Sequence, residues 1–226
     1  MERAELGTQN AQLVMAEQRK ILFDGPKKAP STVVLAHGAG APMDSPFMNE
    51  VAEGLGARGM RVARFEFPYM ASRRNGGKKP PDREPRLREV WLEVIEELGD
   101  KDRLFIGGKS MGGRMASLVA DEAGVRGLVC FGYPFHAPGK PSGDRISHLK
   151  TLRTPALIIQ GTRDSFGTPD DILTYELAPS IRVAWIEDGD HSLKPRAKSG
   201  RTERQNIEEA VVLAAEFVKE HTSRSA

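Results

Sequence analysis

A Gly-x-Ser-x-Gly pentapeptide stands at Gly108-Lys109-Ser110-Met111-Gly112, directly behind the apolar run Arg103–Ile106 and just ahead of a helical pattern. A buried strand that stops at such a pentapeptide and turns at once into a helix presents its serine hydroxyl above the sheet edge. The turn is sharp enough to crowd the positions two residues either side, which is why small residues are needed at Gly108 and Gly112. A serine hydroxyl is a poor nucleophile until a base takes its proton, and an acid must hold that base in one tautomer. Both groups follow later in the chain. Asp164 comes after the run Ala156–Gln160, through Gly161-Thr162-Arg163, and His191 comes after Val183–Ile186, through Glu187-Asp188-Gly189-Asp190. Asp188 and Asp190 compete for the acid role, although their closeness to His191 makes the contact awkward. His37, His136 and His148 are weaker bases, because none of them closes a C-terminal strand.

Attack by Ser110 would create an oxyanion, and removing one donor to such an anion typically lowers the rate about 10²- to 10³-fold. One expected donor is the N–H of Met111, at the amino end of its helix, where the dipole also favours negative charge. The second is expected from His37-Gly38-Ala39-Gly40-Ala41, behind the run Thr32–Ala36, with Ala39 leading and Gly40 next. His37 is expected to order that loop. His37, Tyr69, Phe135 and Phe166 are the candidates for pocket walls, with ordinary packing as the competing role. No spacing suggests a zinc or other metal site, and no cofactor is implied.

Seven apolar runs alternate with helical patterns, as in an α/β chain with a mostly parallel, doubly wound sheet. The runs are Ile21–Phe23, Thr32–Ala36, Met60–Phe65, Arg103–Ile106, Gly127–Cys130, Ala156–Gln160 and Val183–Ile186, the first and last expected near the edges. Helices are predicted over Pro46–Ala57, over Leu87–Leu98 from its apolar spacing, and behind Ser110. Thr168-Pro169-Asp170-Asp171 reads as a helix start, and Thr202 with Gln205 as a capping box. In open sheets of this kind reactive groups collect at the carboxyl ends of the strands, where Ser110, Asp164 and His191 would all project.

The 226 residues suffice for one domain, read here as 19–226 behind an N-terminal extension, 1–18, with Met15 as an alternative first residue. A 39% hydrophobic and 28% charged composition, and no apolar stretch near the roughly 20 residues that cross a bilayer, lead us to expect a cytoplasmic protein without membrane contact. The lone Cys130 sits in an apolar run and is expected to pack rather than react. Two connections are long. Arg73–Arg88 carries Arg73, Arg74, Lys78, Lys79, Arg83, Arg86 and Arg88 against only Asp82 and Glu84; Phe131–Thr154 is rich in proline and glycine. Neither is long enough for a cap domain. With Lys194, Arg196, Lys198 and Arg201 the basic connection could draw anionic substrates. It lacks the interleaved aromatics of a nucleic-acid surface.

The segments Leu35–Ala41, Lys109–Arg114 and Asp188–Leu193 together resemble the α/β-hydrolase superfamily. Phe65–Met70, Phe131–Pro141 and Gln160–Gly167 are similar to its small, capless, dienelactone-hydrolase-like branch, which includes testis-expressed protein thirty and the hydrolase-like domain of a chromatin-complex subunit. The likeness runs from about Thr32 to Phe217. It implies the α/β-hydrolase fold, a triad at Ser110, Asp164 and His191, an oxyanion loop at His37–Gly40, and a small acyl ester or thioester as substrate. A non-catalytic binding module and an acyltransferase remain the alternatives, and nothing in the sequence speaks to oligomeric state.

Overall fold

In the computed structural model, residues 19–140 and 145–222 are described, so the proposed extension 1–18 lies outside the described residues. The strands are β1 (Ile21–Asp24), β2 (Thr32–Ala36), β3 (Arg61–Phe65), β4 (Leu104–Lys109), β5 (Gly127–Phe131), β6 (Ala156–Gly161) and β7 (Ile181–Ile186). They form one sheet in the order β1-β3-β2-β4-β5-β6-β7. Only β1 runs antiparallel, paired with β3; every other neighbour is parallel. The first and last runs are therefore the edges, as their weaker apolar character suggests.

Parallel strands covered on both faces read as near-continuous apolar runs, and β2 shows the reason. Val33 and Leu35 enter the core on one face of the sheet, Val34 and Ala36 that on the other, and none of the four has exposed surface. The helices are α1 (Pro46–Ala57), α2 (Pro68–Arg74), α3 (Glu84–Leu98), α4 (Met111–Ala123), α5 (Pro169–Leu173) and α6 (Glu203–Thr222). Trp91 and Val94 of α3, with Met115 and Val119 of α4, cover one face. Met48 and Val51 of α1, with Ile207 and Val211 of α6, cover the other. Burying each such side chain contributes about 1.5–3 kcal/mol.

End signals behave as expected. Thr168 and Asp171 close a full capping box on α5. Before α6 the Gln205 N–H donates to Thr202 Oγ1 across 3.2 Å, and the Thr202 N–H donates to Gln205 Oε1 across 2.8 Å. The basic connection is shorter than the sequence suggests, because α2 takes its first two residues and α3 begins at Glu84, with proline in its first turn. No described helix is long and apolar enough to cross a membrane.

Candidate active site

The carboxyl ends of β4, β6 and β7 bring Ser110, Asp164 and His191 together. Ser110 sits at φ 51° and ψ −117° between β4 and α4, a backbone region costly for any residue with a side chain. The tight approach to β2 explains the flanking glycines: a Cβ at Gly108 would lie 2.0 Å from the Ala36 carbonyl oxygen, and one at Gly112 2.4 Å from it. The Ser110 N–H donates to the Phe131 carbonyl across 3.0 Å, fastening the turn to β5.

His191 links the other two groups. Its Nδ1–H donates to Asp164 Oδ2 across 2.8 Å, which leaves Nε2 to accept the Ser110 hydroxyl proton, also across 2.8 Å. A carboxylate only accepts, so this pairing fixes the tautomer. Asp164 has no exposed surface, and its two oxygens are used by three donors: His191, the Gln160 amide at 2.8 Å and the Phe166 N–H at 2.9 Å. The His191 side chain remains 24% exposed, with the Phe166 ring tilted against it at 4.2 Å. Solvent thus reaches the imidazole while the carboxylate stays shielded.

The competing acids are used elsewhere. Asp188 pairs with Arg196 and Arg163, and the Arg196 guanidinium holds its carboxyl below the usual range. Asp190 Oδ1 accepts the Ser192 and Lys194 N–H groups and shapes the turn that carries His191. His136 bonds the Ala137 carbonyl and lies 3.3 Å from Asp171, while His148 bonds Ser117 at 2.8 Å. Cys130 is wholly buried, as its apolar run implies. Among the described residues no three His, Cys, Asp or Glu side chains converge as a metal site.

The loop after β2 is held from behind. His37 is fully buried, its Nδ1–H donates to the Gly38 carbonyl at 2.7 Å, and its Nε2 accepts the Phe67 N–H at 3.1 Å. Burial lowers its pKa, so the neutral ring this pairing requires is the stable one. The Tyr69 hydroxyl reaches the Gly38 carbonyl at 3.4 Å and the Ala39 carbonyl at 3.1 Å, and Arg73 also reaches the latter at 3.4 Å. In a trans peptide the C=O and the following N–H point opposite ways. Anchoring those carbonyls toward Tyr69 therefore turns the Ala39 and Gly40 N–H groups away from it. A Cβ at Gly38 would touch Ser110 Cβ at 3.7 Å, so this loop borders the serine. Met111 opens the thirteen-residue α4, and its N–H is one of the donors that a helix start leaves without an internal acceptor.

The expectation for the pocket walls needs correction. His37, Tyr69 and Phe135 are at most 1% exposed and pack beneath the loops instead of facing open space. Phe135 stacks among Tyr133 and Tyr175. Phe166 alone of the four keeps a partly exposed face beside His191. Part of the basic connection is neutralised: Arg74 pairs with Glu66 and Asp44, Arg86 with Glu89 and Glu93, and Arg88 with Glu122. Lys194 and Arg201 pair with Glu203 and Glu209. Sequence reasoning missed Gln160 and Lys109. Lys109 sits inside the pentapeptide and donates to the His191 carbonyl.

Comparison with known proteins agrees with this fold. The family model described as an alpha/beta hydrolase domain matches residues 29–219. Est1E from Butyrivibrio proteoclasticus, solved with ferulic acid, is similar at 16% identity and a TM-score of 0.68, over 91% of this chain and 96% of that one. A dienelactone hydrolase from Anabaena variabilis is similar at 23% identity and a TM-score of 0.67, over 92% and 94%. A serine hydrolase from Xanthomonas campestris, described as without lid, is similar at 18% identity and a TM-score of 0.59, over 91% and 88%.

Proposed function

Because the chain belongs to the alpha/beta hydrolase domain family, we propose that it is a serine hydrolase that cleaves a small ester or thioester through a covalent acyl-enzyme. The observation that carries this reading is the continuous 2.8 Å and 2.8 Å hydrogen-bond chain from Ser110 through His191 to Asp164. Ser110 Oγ attacks the acyl carbon as its proton passes to His191 Nε2. Asp164 orients the ring and stabilises the imidazolium that forms. The Met111 and Ala39 N–H groups, with Gly40 adjoining, receive the negative charge that develops on the carbonyl oxygen. His191 returns its proton to the leaving alcohol or thiol, then activates the water that releases the acid and restores Ser110.

Ser110, Phe166 and His191 are each partly exposed, so the leaving group is limited chiefly by what fits beside Phe166. Any preference for anionic esters rests on Arg73, Lys78, Lys79 and Arg83. Raising salt should then slow cleavage of a carboxylate-bearing ester more than that of its neutral analogue; equal slopes would remove the preference.

The direct test is intact-mass detection of a fluorophosphonate adduct on the purified chain, with Ser110→Ala alongside. One adduct on the wild type and none on the variant is the expected result. No adduct on either protein, under conditions that label a known serine hydrolase, would end the hydrolase reading in favour of a binding module. Product analysis with added alcohols or thiols separates hydrolysis from acyl transfer.

A further inference from the structure

The Ser110–His191 hydrogen bond joins two loops that are 81 residues apart in the chain, and something must hold the histidine loop at that height. Lys109, the last residue of β4 and the neighbour of Ser110, sends its side chain beneath the loop. Its Nζ donates to the His191 backbone carbonyl. The side chain is partly buried, with the Phe47 ring of α1 5.7 Å from Nζ. The charges facing it are the Asp164 carboxylate after β6 and the Asp190 carboxylate after β7, both acting on it through space. The junction is built around a glycine: at Gly132 (φ +61°), just past β5, a Cβ would lie 2.6 Å from the His191 carbonyl oxygen and 2.8 Å from Nζ. Drawing an ammonium partly out of water is unfavourable unless its position is needed. The mechanism above gives Lys109 no proton or bond to handle.

We propose that Lys109 is a positioning residue: by holding the His191 carbonyl it fixes the imidazole over the Ser110 hydroxyl. The proposal rests on the hydrolase reading of Ser110, His191 and Asp164. Nucleophile and base are thereby adjusted by consecutive residues, so a shift of β4 moves both together. A displaced base is costly, since misplacing a reacting group by about 1 Å can slow a reaction 10²-fold. Burial also lowers the Lys109 pKa to about 8, so its charge, and with it the grip on the carbonyl, weakens within an accessible pH range.

The test uses the whole chain, a fluorophosphonate as probe, and two variants. Lys109→Met keeps the apolar stem but removes the donor and the charge; Lys109→Gln keeps an N–H donor on a shorter arm. Lys109→Met is expected to melt at or above the wild-type temperature, because a thioether is easier to bury than an ammonium. Its labelling rate should nevertheless fall about 10- to 100-fold, with Lys109→Gln recovering part of the loss. The low-field proton resonance of the His191–Asp164 hydrogen bond should broaden in Lys109→Met, and the wild-type labelling rate should decline as pH rises through about 8.

Wild-type labelling by Lys109→Met would overturn the proposal. So would slow labelling with an unchanged imidazole resonance, because the ring would not have moved. If Lys109→Met does not fold, Lys109→Gln decides, and wild-type labelling by that shorter arm overturns the assignment. A wild type that labels no better than Ser110→Ala overturns the hydrolase reading instead, and the imidazole resonance then still decides whether Lys109 holds the ring.

Discussion

The Gln160 side-chain amide donates to Asp164 Oδ2 across 2.8 Å, the same oxygen that accepts the His191 ring. Gln160 has no exposed surface, and its side-chain Oε1 accepts the Tyr133 N–H at 2.7 Å. One residue of β6 therefore fastens the Asp164 carboxylate to the loop after β5, and that carboxylate meets the His191 ring already oriented.

Gln160→Leu keeps the volume but leaves the Tyr133 N–H without its acceptor and Asp164 with one donor fewer. An unpaired buried group of this kind destabilises by about 1–3 kcal/mol each. We expect a fall in melting temperature of roughly 5–15 °C and labelling about tenfold slower. An unchanged melting curve would show that the two bonds contribute nothing net.

Tyr69→Phe removes the hydroxyl that anchors the Gly38 and Ala39 carbonyls and changes no other atom. Loss of so modest a pair should lower stability by about 0.5–1.5 kcal/mol. Turnover of a short-chain ester should slow about tenfold, with KM held within about twofold, because a loosened Ala39 N–H affects the oxyanion more than the bound ester. A change in KM alone would place Tyr69 in substrate binding.

The positive φ of Ser110 stores strain that a Cβ makes worse, on the order of 1–3 kcal/mol. Ser110→Gly and Ser110→Ala both lack the nucleophile, so their comparison isolates the backbone. The glycine variant should be the more stable by about 1 kcal/mol, a difference of roughly 2–4 °C in melting temperature. Equal stabilities would mean that the turn is not strained.

Acid should weaken the fold through His148. Burial, helped by the nearby Arg114 charge, lowers its pKa to about 4 from the usual 6.5. A base whose folded pKa is depressed contributes fully above the unfolded value, and that contribution is lost as pH falls from about 6.5 toward about 4. The half-buried ring is partly screened by solvent, so the loss should be on the order of 1–2 kcal/mol. His37 is shifted in the same direction. Melting temperatures followed from pH 7 to pH 4 should decline less steeply in His148→Gln than in the wild type.

Much of this architecture is legible in the sequence because its strands are buried on both faces. Thr32–Ala36 and Ala156–Gln160 read as strands because both are near-continuous apolar runs, and the structure places strands at Thr32–Ala36 and Ala156–Gly161. Ser110, Asp164 and His191 are legible for a related reason: each lies within five residues of the end of a strand. Helix α2 escapes such a reading because its seven residues are too short to show a helical period and end in two arginines that resemble loop charges. The support roles of Gln160, Tyr69 and Lys109 escape it for a different reason. Each depends on where a side chain meets the backbone of a distant element, as Lys109 does at His191, 82 residues away. The placement of Tyr69 and Phe135 behind the loops has the same origin: aromatic residues near strand ends look alike whether they face a pocket or support it.

The separations inside the site carry a consequence for how the chain reaches its final state. The serine and histidine stand 81 residues apart, the histidine and aspartate 27, and their strands are set by the sheet order. No local fragment can bring the three together, so the hydrogen-bond chain from Ser110 through His191 to Asp164 exists only after β4, β5, β6 and β7 have all paired. A pulse of fluorophosphonate during refolding would thus count molecules whose sheet is complete, while far-ultraviolet circular dichroism counts helices that form earlier. The lag between the two signals would measure how late the last strand docks.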